Sequence, residues 1–201
     1  MNMLLVLLLS CLHYLHYSAA DPNPNATKFI ETECRATLYP VLCIQSLRSY
    51  SSIVQNSPKQ LARVALSASL SRAQSVSSFI SKVARMRGLK EIEYVAVKDC
   101  VANMGSTVDQ LSRSVKEVGA MKHYELNWHQ SNIESWVGAA ITFQQTCLDG
   151  FSSPIMDGNI KIAVSKRILD CSHVTSNALV LIHRYAKGAA SAGTHGSTNL
   201  P

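Results

Sequence analysis

Apolar side chains recur every three or four residues along four long segments of this chain. That interval places them on one face of an α-helix. The first segment begins at Ser57, a favourable N-cap residue followed by Pro58, and we expect it to end by Gly88. The second runs from about residue 90 to residue 118, where Gly119 offers a C-terminal stop.

The third and fourth segments also carry boundary signals. Residues 131–134 match a capping box, and Gly150 follows the last apolar turn of the third segment. The fourth segment covers about residues 157–187, with Gly188 after it. Four amphipathic helices joined by short connections bury their apolar faces against one another. The sequence therefore predicts an all-α fold, an antiparallel four-helix bundle.

A shorter helical element precedes the bundle. Cys34 and Cys43 lie on either side of a turn at Pro40, which predicts two short helical pieces folded back as an N-terminal hairpin. We expect one domain over residues 21–188. Residues 189–201 are small and polar, which predicts a flexible C-terminal tail.

The N-terminal residues have the layout of a secretory signal peptide. Residues 1–20 contain an apolar run of about ten residues, too short for a bilayer core of roughly 30 Å, and small residues precede a cut after Ala20. We expect a secreted, extracellular protein without a membrane span. The triplet Asn25-Ala26-Thr27 is a glycosylation sequon, so Asn25 is a predicted glycosylation site.

Five cysteines remain after that cut, so four can pair in an oxidising compartment. Cys34 and Cys43 are close enough in sequence to bridge locally across the proline turn. Cys100 in the second helix can reach Cys147 in the third if these helices pack side by side. Cys171 lies in phase with the apolar stripe of the fourth helix, which favours a buried free thiol. We therefore predict two disulfides.

Basic residues outnumber acidic ones, giving a net charge of +6, and they are unevenly distributed. Between Lys59 and Lys90 there are seven basic residues and no acidic one. This pattern is typical either of a solvated helix face or of a surface that attracts an acidic polymer or protein. Secretion argues against nucleic acid as a partner.

Signatures of catalysis are missing from the sequence. There is no G-x-S-x-G nucleophile elbow, no H-E-x-x-H zinc pair and no glycine-rich phosphate loop. The mature histidines never fall four residues apart, so they form no helical metal pair. We expect no catalytic residue, no metal and no cofactor, and a protein that is not an enzyme but binds another protein.

Several stretches carry specific local patterns. The hairpin has Y-P-x-x-C at residues 39–43, and the second helix has D-C at residues 99–100. The third helix has W-V-x-A-A-I-T at residues 136–142, leading to T-C-L-D-G-F at residues 146–151. Together these patterns resemble the plant invertase and pectin methylesterase inhibitor family, and they are closest to its pectin methylesterase inhibitor branch. The likeness spans about residues 27–187.

The resemblance implies a four-helix bundle with bridges Cys34–Cys43 and Cys100–Cys147. It also implies a function: one-to-one inhibition of a pectin methylesterase in the apoplast or cell wall, by packing across the substrate cleft. Much of the contact surface would come from the second and third helices. The candidate contacts that the resemblance implies are Asp109, Thr146 and Asp149, followed by Gln144 and Gln145.

Two other functions remain open. One is inhibition of a cell-wall or vacuolar invertase, and the other is binding of acidic pectin or a receptor without inhibition. The sequence also departs from the family pattern at Ala102, Met104 and Ser106, where the family usually carries Glu, Tyr and Asp. Loss of these groups from a contact face would weaken binding, remove its pH dependence or redirect it to another partner.

Overall fold

Helices make up the regular structure of the part of the chain that the computed structural model describes, residues 23–121, 126–156 and 158–194. The predicted all-α fold is therefore confirmed. A 3-10 turn at Arg48–Tyr50 joins two of the short helices. The α-helices are α1 Pro24–Cys34, α2 Pro40–Leu47, α3 Ser51–Val54, α4 Pro58–Val83, α5 Glu91–Ala120, α6 Leu126–Asp149 and α7 Asn159–Thr194.

The four long helices form an antiparallel bundle, as predicted. Helix α4 packs against α5 and α7, and α6 also packs against α5 and α7, so α4 and α6 are diagonal. Lys59 Nζ at the start of α4 donates to the Met121 carbonyl just beyond α5, at 2.9 Å. The Cys100–Cys147 disulfide joins the N-terminal third of α5 to the end of α6. Each of these contacts pairs the start of one helix with the end of its neighbour.

Local hydrogen bonds explain where α4 and α5 begin. The Ser57 hydroxyl accepts from the Gln60 backbone N–H at 3.3 Å, which is the predicted N-cap of α4. The Glu93 carboxylate accepts from the Lys90 backbone N–H at 2.9 Å and closes the first turn of α5. Between the two helices, Gly88 has a φ of 85°, a left-handed conformation that glycine adopts without strain.

Two predicted boundaries are wrong. Helix α6 begins at Leu126, so the proposed capping box at residues 131–134 lies inside the helix. The Glu134 carboxylate instead accepts from Gln130 Nε2 at 2.7 Å. Helix α7 continues past Gly188 to Thr194, because the alanines that follow Gly188 have high helix propensity. The predicted tail is thus helical in its first part, and residues 195–201 lie outside the described residues.

The N-terminal hairpin is present and is fastened to the bundle. The Cys34–Cys43 disulfide, with its Cα atoms 5.6 Å apart, joins α1 to α2. The Asn177 side chain on α7 accepts from the Tyr39 backbone N–H at 3.0 Å and donates to the Tyr39 carbonyl at 2.9 Å. The Tyr39 ring stacks on His173 at 3.6 Å between ring centres. These contacts fix the hairpin turn against α7.

The core follows the spacing of apolar residues. Burying an aliphatic side chain contributes about 1.5–3 kcal/mol, so these rows dominate the stability of the bundle. In α5 the buried row alternates steps of three and four, the pattern of bundle helices that pack nearly parallel or antiparallel. Its members are Val97, Cys100, Met104, Thr107, Leu111, Ser114 and Val118.

Among the described residues, no helix is apolar over a length that would cross a bilayer.

Candidate partner-binding face

Helices α5 and α6 are held in a fixed register. The Cα atoms of the Cys100–Cys147 disulfide are 4.7 Å apart at one end of the pair. Farther along, the Glu117 carboxylate accepts from Asn132 Nδ2 at 2.9 Å and lies 2.9 Å from His129 Nδ1. A covalent bridge and a polar cluster therefore join α5 to α6 at two points along their length.

Three of the predicted contact residues come together at the end of α6. Gln145, Thr146 and Asp149 are all exposed. Gln145 Nε2 donates to Asp149 Oδ1 at 2.7 Å, which orients both side chains. The Thr146 hydroxyl donates to the Thr142 carbonyl at 3.0 Å, so its oxygen is left to accept a hydrogen bond from a partner. The group presents acceptors on a surface anchored by Cys147.

Asp109 is exposed but lies apart from this group. It is nine residues beyond Cys100 on α5, whereas Asp149 lies beside Cys147, the disulfide partner of Cys100. At 1.5 Å per residue, the offset along the helix pair is about 14 Å. The structure thus places the predicted contacts at two heights of one outer side instead of in one cluster.

Gln144 is wrongly predicted as a contact residue. Its side chain is 0% exposed. Gln144 Nε2 donates to Thr175 Oγ1 at 3.1 Å and lies 3.4 Å from Cys171 Sγ, both on α7. Gln144 occupies the core row of α6 between Ala140 and Cys147, so it faces α7 and cannot contact a docked protein.

The departures from the family pattern also separate in the structure. Met104 is 0% exposed and belongs to the core row of α5, so it is not part of a contact surface. Ala102 is exposed, and Ser106 is partly exposed. Gly105 lies between them, and a Cβ atom there would meet nothing within 4 Å. Between residues 102 and 106, the outer side of α5 therefore projects little from the helix, because its side chains are small.

An exposed apolar rim beside the end of α6 was missed by sequence reasoning. Tyr94 and Val95 at the start of α5 are 48% and 51% exposed, and Ile155 after α6 is 77% exposed. The start of α5 lies next to the α6–α7 connection, since a Cβ at Gly150 would be 3.9 Å from Ala96 Cβ. The sequence did contain a signal for this rim. Tyr94 and Val95 are apolar, but they fall outside the three-and-four spacing of the buried residues in α5.

We define the partner face as a set of exposed or partly exposed side chains on this outer side of α5 and α6, together with Ile155 in the connection after α6. It combines hydrogen-bonding groups with an apolar rim, the composition of a protein–protein contact surface. Its members are Tyr94, Val95, Ala102, Ser106, Asp109, Gln145, Thr146, Asp149 and Ile155.

The pKa values of two carboxylates farther along α5 and α6 are lowered. The hydrogen bond from Asn132 is the main influence lowering the pKa of Glu117, and His129 adds to it against the opposing effect of burial. Burial acts to raise the pKa of Glu134, but hydrogen bonds from Gln130 and His183 outweigh it and lower the pKa. Both carboxylates tie helices together, because Glu117 links α5 to α6 and Glu134 links α6 to α7.

The remaining thiol is unsuited to nucleophilic chemistry. Cys171 is free and buried, as predicted, and burial raises its pKa to about 12. The thiol is therefore protonated at physiological pH. Within the described ranges, no group of three metal-ligating side chains comes together.

The glycosylation sequon lies on the first turn of α1. Asn25 is exposed and therefore open to modification, while Thr27 is buried. Glycosylation at Asn25 remains a prediction. The predicted signal peptide, residues 1–20, lies outside the described residues.

Comparison with known proteins gives consistent matches. The family model "Plant invertase/pectin methylesterase inhibitor" matches residues 28–181. The chain is 42% identical over 173 residues to pectinesterase inhibitor 11 of Arabidopsis thaliana, covering 84% of this chain and 86% of that protein. It is 37% identical over 193 residues to pectinesterase inhibitor 9 of the same plant, covering 92% and 95%. A crystal structure of mutant form A of a pectin methylesterase inhibitor from Arabidopsis aligns with this chain at a TM-score of 0.63. The alignment covers 77% of this chain and 95% of that one. Because the two sequences are only 19% identical, this likeness shows a shared fold.

Proposed function

Because this chain belongs to the plant invertase/pectin methylesterase inhibitor family, we propose that it is a secreted inhibitor of a pectin methylesterase. It binds one enzyme molecule across the substrate cleft and limits pectin de-esterification in the cell wall. The observation that carries this proposal is the 42% identity over most of the chain to a protein named a pectinesterase inhibitor.

The partner face supports a binding function. Exposed Gln145, Thr146 and Asp149 supply hydrogen-bonding groups, and Tyr94 and Val95 supply apolar contact area beside them. Because the disulfide at Cys147 and the helix itself already order these groups, less conformational entropy is lost on docking. Inhibition then needs no chemistry from this chain, since occupying the cleft excludes pectin.

A titration tests the proposal. The secreted protein is added to a pectin methylesterase and, separately, to an acid invertase at weakly acidic pH. We expect saturable, stoichiometric loss of the pectin methylesterase activity only. Loss of invertase activity alone would transfer the proposal to the other branch of the family. If neither enzyme is inhibited, inhibition is refuted and the fold is unaffected.

A charge reversal tests the partner face. Asp149→Lys is expected to weaken inhibition at least about tenfold, the effect of losing one well-placed interface contact. Asp149 is exposed, so the bundle should still fold, which circular dichroism checks. Glu31→Lys on α1 is the matched control and should inhibit like the native protein. If Asp149→Lys also inhibits like the native protein, the end of α6 is not in contact with the enzyme.

A further inference from the structure

Helices α4 and α7 leave an open cleft on the side of the bundle away from the partner face. Its volume is about 430 Å³. We call it the basic cleft, because three of its lining residues are basic and one is acidic, a formal charge of +2. The residues that line it are Arg72, Ser75, Val76, Lys166, Arg167 and Asp170.

The two arginines of the basic cleft are held in place. Arg72 Nη1 lies 3.1 Å from Asp170 Oδ2, yet the Arg72 side chain remains 46% exposed. The Arg167 guanidinium lies 4.1 Å above the centre of the Phe79 ring. A guanidinium fixed in this way keeps free N–H groups for a second carboxylate, which it can bind with two parallel hydrogen bonds.

A second cleft continues the first. Its volume is about 290 Å³, and it shares Arg72 and Ser75 with the basic cleft. Its other lining residues include the hydroxyl-bearing Ser46, Tyr50 and Ser71. The combined groove therefore has cationic side chains at one end and hydroxyl-bearing side chains at the other end. This arrangement matches a linear molecule that carries both carboxylates and hydroxyls better than it matches a compact anion.

We infer that this groove binds a linear acidic polysaccharide, a polyuronate chain, through Arg72, Lys166 and Arg167. The site is separate from the partner face, so it goes beyond inhibition and does not depend on it. The basic run noted in the sequence contributes only Arg72 here. The other two cations, Lys166 and Arg167, are consecutive residues of α7.

The probe is a de-esterified oligogalacturonate, and binding is measured by calorimetry with a fully methyl-esterified oligomer in parallel. We expect the acidic oligomer alone to bind, with an affinity that falls as salt is added, because exposed charges are screened beyond about 8–10 Å. The variant Lys166→Gln/Arg167→Gln should lose roughly five- to tenfold in affinity. The control Arg85→Gln/Arg87→Gln removes the same charge from exposed positions between α4 and α5, and it should bind nearly as the native protein does.

A variant that gains affinity is also needed, because a loss of affinity alone could result from a folding defect. Asp170→Asn removes the one carboxylate from the basic cleft and frees Arg72, so it should bind the acidic oligomer more tightly. Equal losses in the two double variants would overturn the inference, because net charge and not the groove would then be responsible. Equal binding of the methyl-esterified oligomer would also overturn it. Inhibition of pectin methylesterase is assayed on the same samples, so its failure is scored separately.

Discussion

At the scale of single residues, hydrogen-bonded polar side chains from three helices meet in the core. Thr175 Oγ1 donates to the Cys171 carbonyl at 2.9 Å and receives Gln144 Nε2 at 3.1 Å. Ser69 Oγ on α4 lies 2.8 Å from the same Thr175 oxygen. Since a hydroxyl has a single proton, Ser69 must be the donor in that contact. One threonine thus satisfies polar groups from α4 and α6 at once.

Replacing that threonine should be costly. Thr175→Val keeps the side-chain shape but removes the acceptor of the Ser69 hydroxyl and leaves Gln144 Nε2 with only the Cys171 sulfur, 3.4 Å away. We therefore expect a loss of about 1–3 kcal/mol in the free energy of unfolding. Urea denaturation measures it. Thr142→Val is the control, because the Thr142 hydroxyl is exposed and bonds only its own helix at Gly138. Equal stability of the two variants would contradict this role for Thr175.

At the scale of helices, disulfides and carboxylate hydrogen bonds fix the relative positions of neighbouring elements, in addition to the apolar contacts of the core. The Cys34–Cys43 bridge spans nine residues within the hairpin, whereas the Cys100–Cys147 bridge spans 47 residues and joins α5 to α6. The longer bridge lies beside the partner face, because Thr146 is adjacent to Cys147. Glu117 adds a second fastening of α5 to α6 farther along.

The two bridges should differ in their contribution to stability. In the loop-entropy model, Cys100→Ala/Cys147→Ala loses about 4 kcal/mol, and Cys34→Ala/Cys43→Ala loses about 2.5 kcal/mol. Thermal and urea unfolding of the two variants compare them. A larger loss from the hairpin bridge would show that native packing, not loop length, sets the order.

Stability should fall in acid through Glu117. Its folded pKa lies below the ordinary value of 4.5, so its stabilising contribution is present above that value and is lost as the pH falls through the folded pKa. We expect Glu117→Gln to be less stable than the native protein at neutral pH and to show a shallower decline below about pH 4.5. Asp109→Asn, at an exposed position without these hydrogen bonds, is the control and should be as stable as the native protein at neutral pH. An unchanged slope in Glu117→Gln would contradict the prediction.

At the scale of the whole molecule, the bundle presents two surfaces of different character. The partner face lies on α5 and α6, and the basic cleft lies between α4 and α7, so the core separates them. Sites without shared contacts behave independently to a first approximation. The enzyme and the acidic polymer that we propose as partners would therefore occupy opposite sides of a protein whose net charge is +6.

The two surfaces should be separable by mutation. Asp149→Lys should lose inhibition and keep its affinity for the acidic oligomer. Lys166→Gln/Arg167→Gln should lose that affinity and inhibit pectin methylesterase with unchanged potency. Enzyme assays and calorimetry on both variants make the comparison. A variant that loses both properties while remaining folded would show that the surfaces are coupled.

Much of the fold could be predicted because its signals are local. The Ser57 cap, the apolar rows of the long helices and the proline turn between Cys34 and Cys43 depend on residues close in sequence. Cys171 could be assigned to the core from its phase in the fourth helix. Each of these inferences needs only the 3.6-residue period of a helix or the reach of a short loop.

What the tertiary structure decided involves partners from distant parts of the chain. The 131–134 pattern resembles a capping box, but Glu134 contacts Gln130 and, on the neighbouring helix α7, His183. Gln144 is a polar residue that is buried because α7 supplies Thr175 opposite it. The basic cleft exists only because α7 packs on α4. The sequence by itself determined the helices, their apolar sides and the local Cys34–Cys43 pairing. Packing decided which polar groups are buried and brought Cys100 to Cys147, because both depend on which side chains meet across helices.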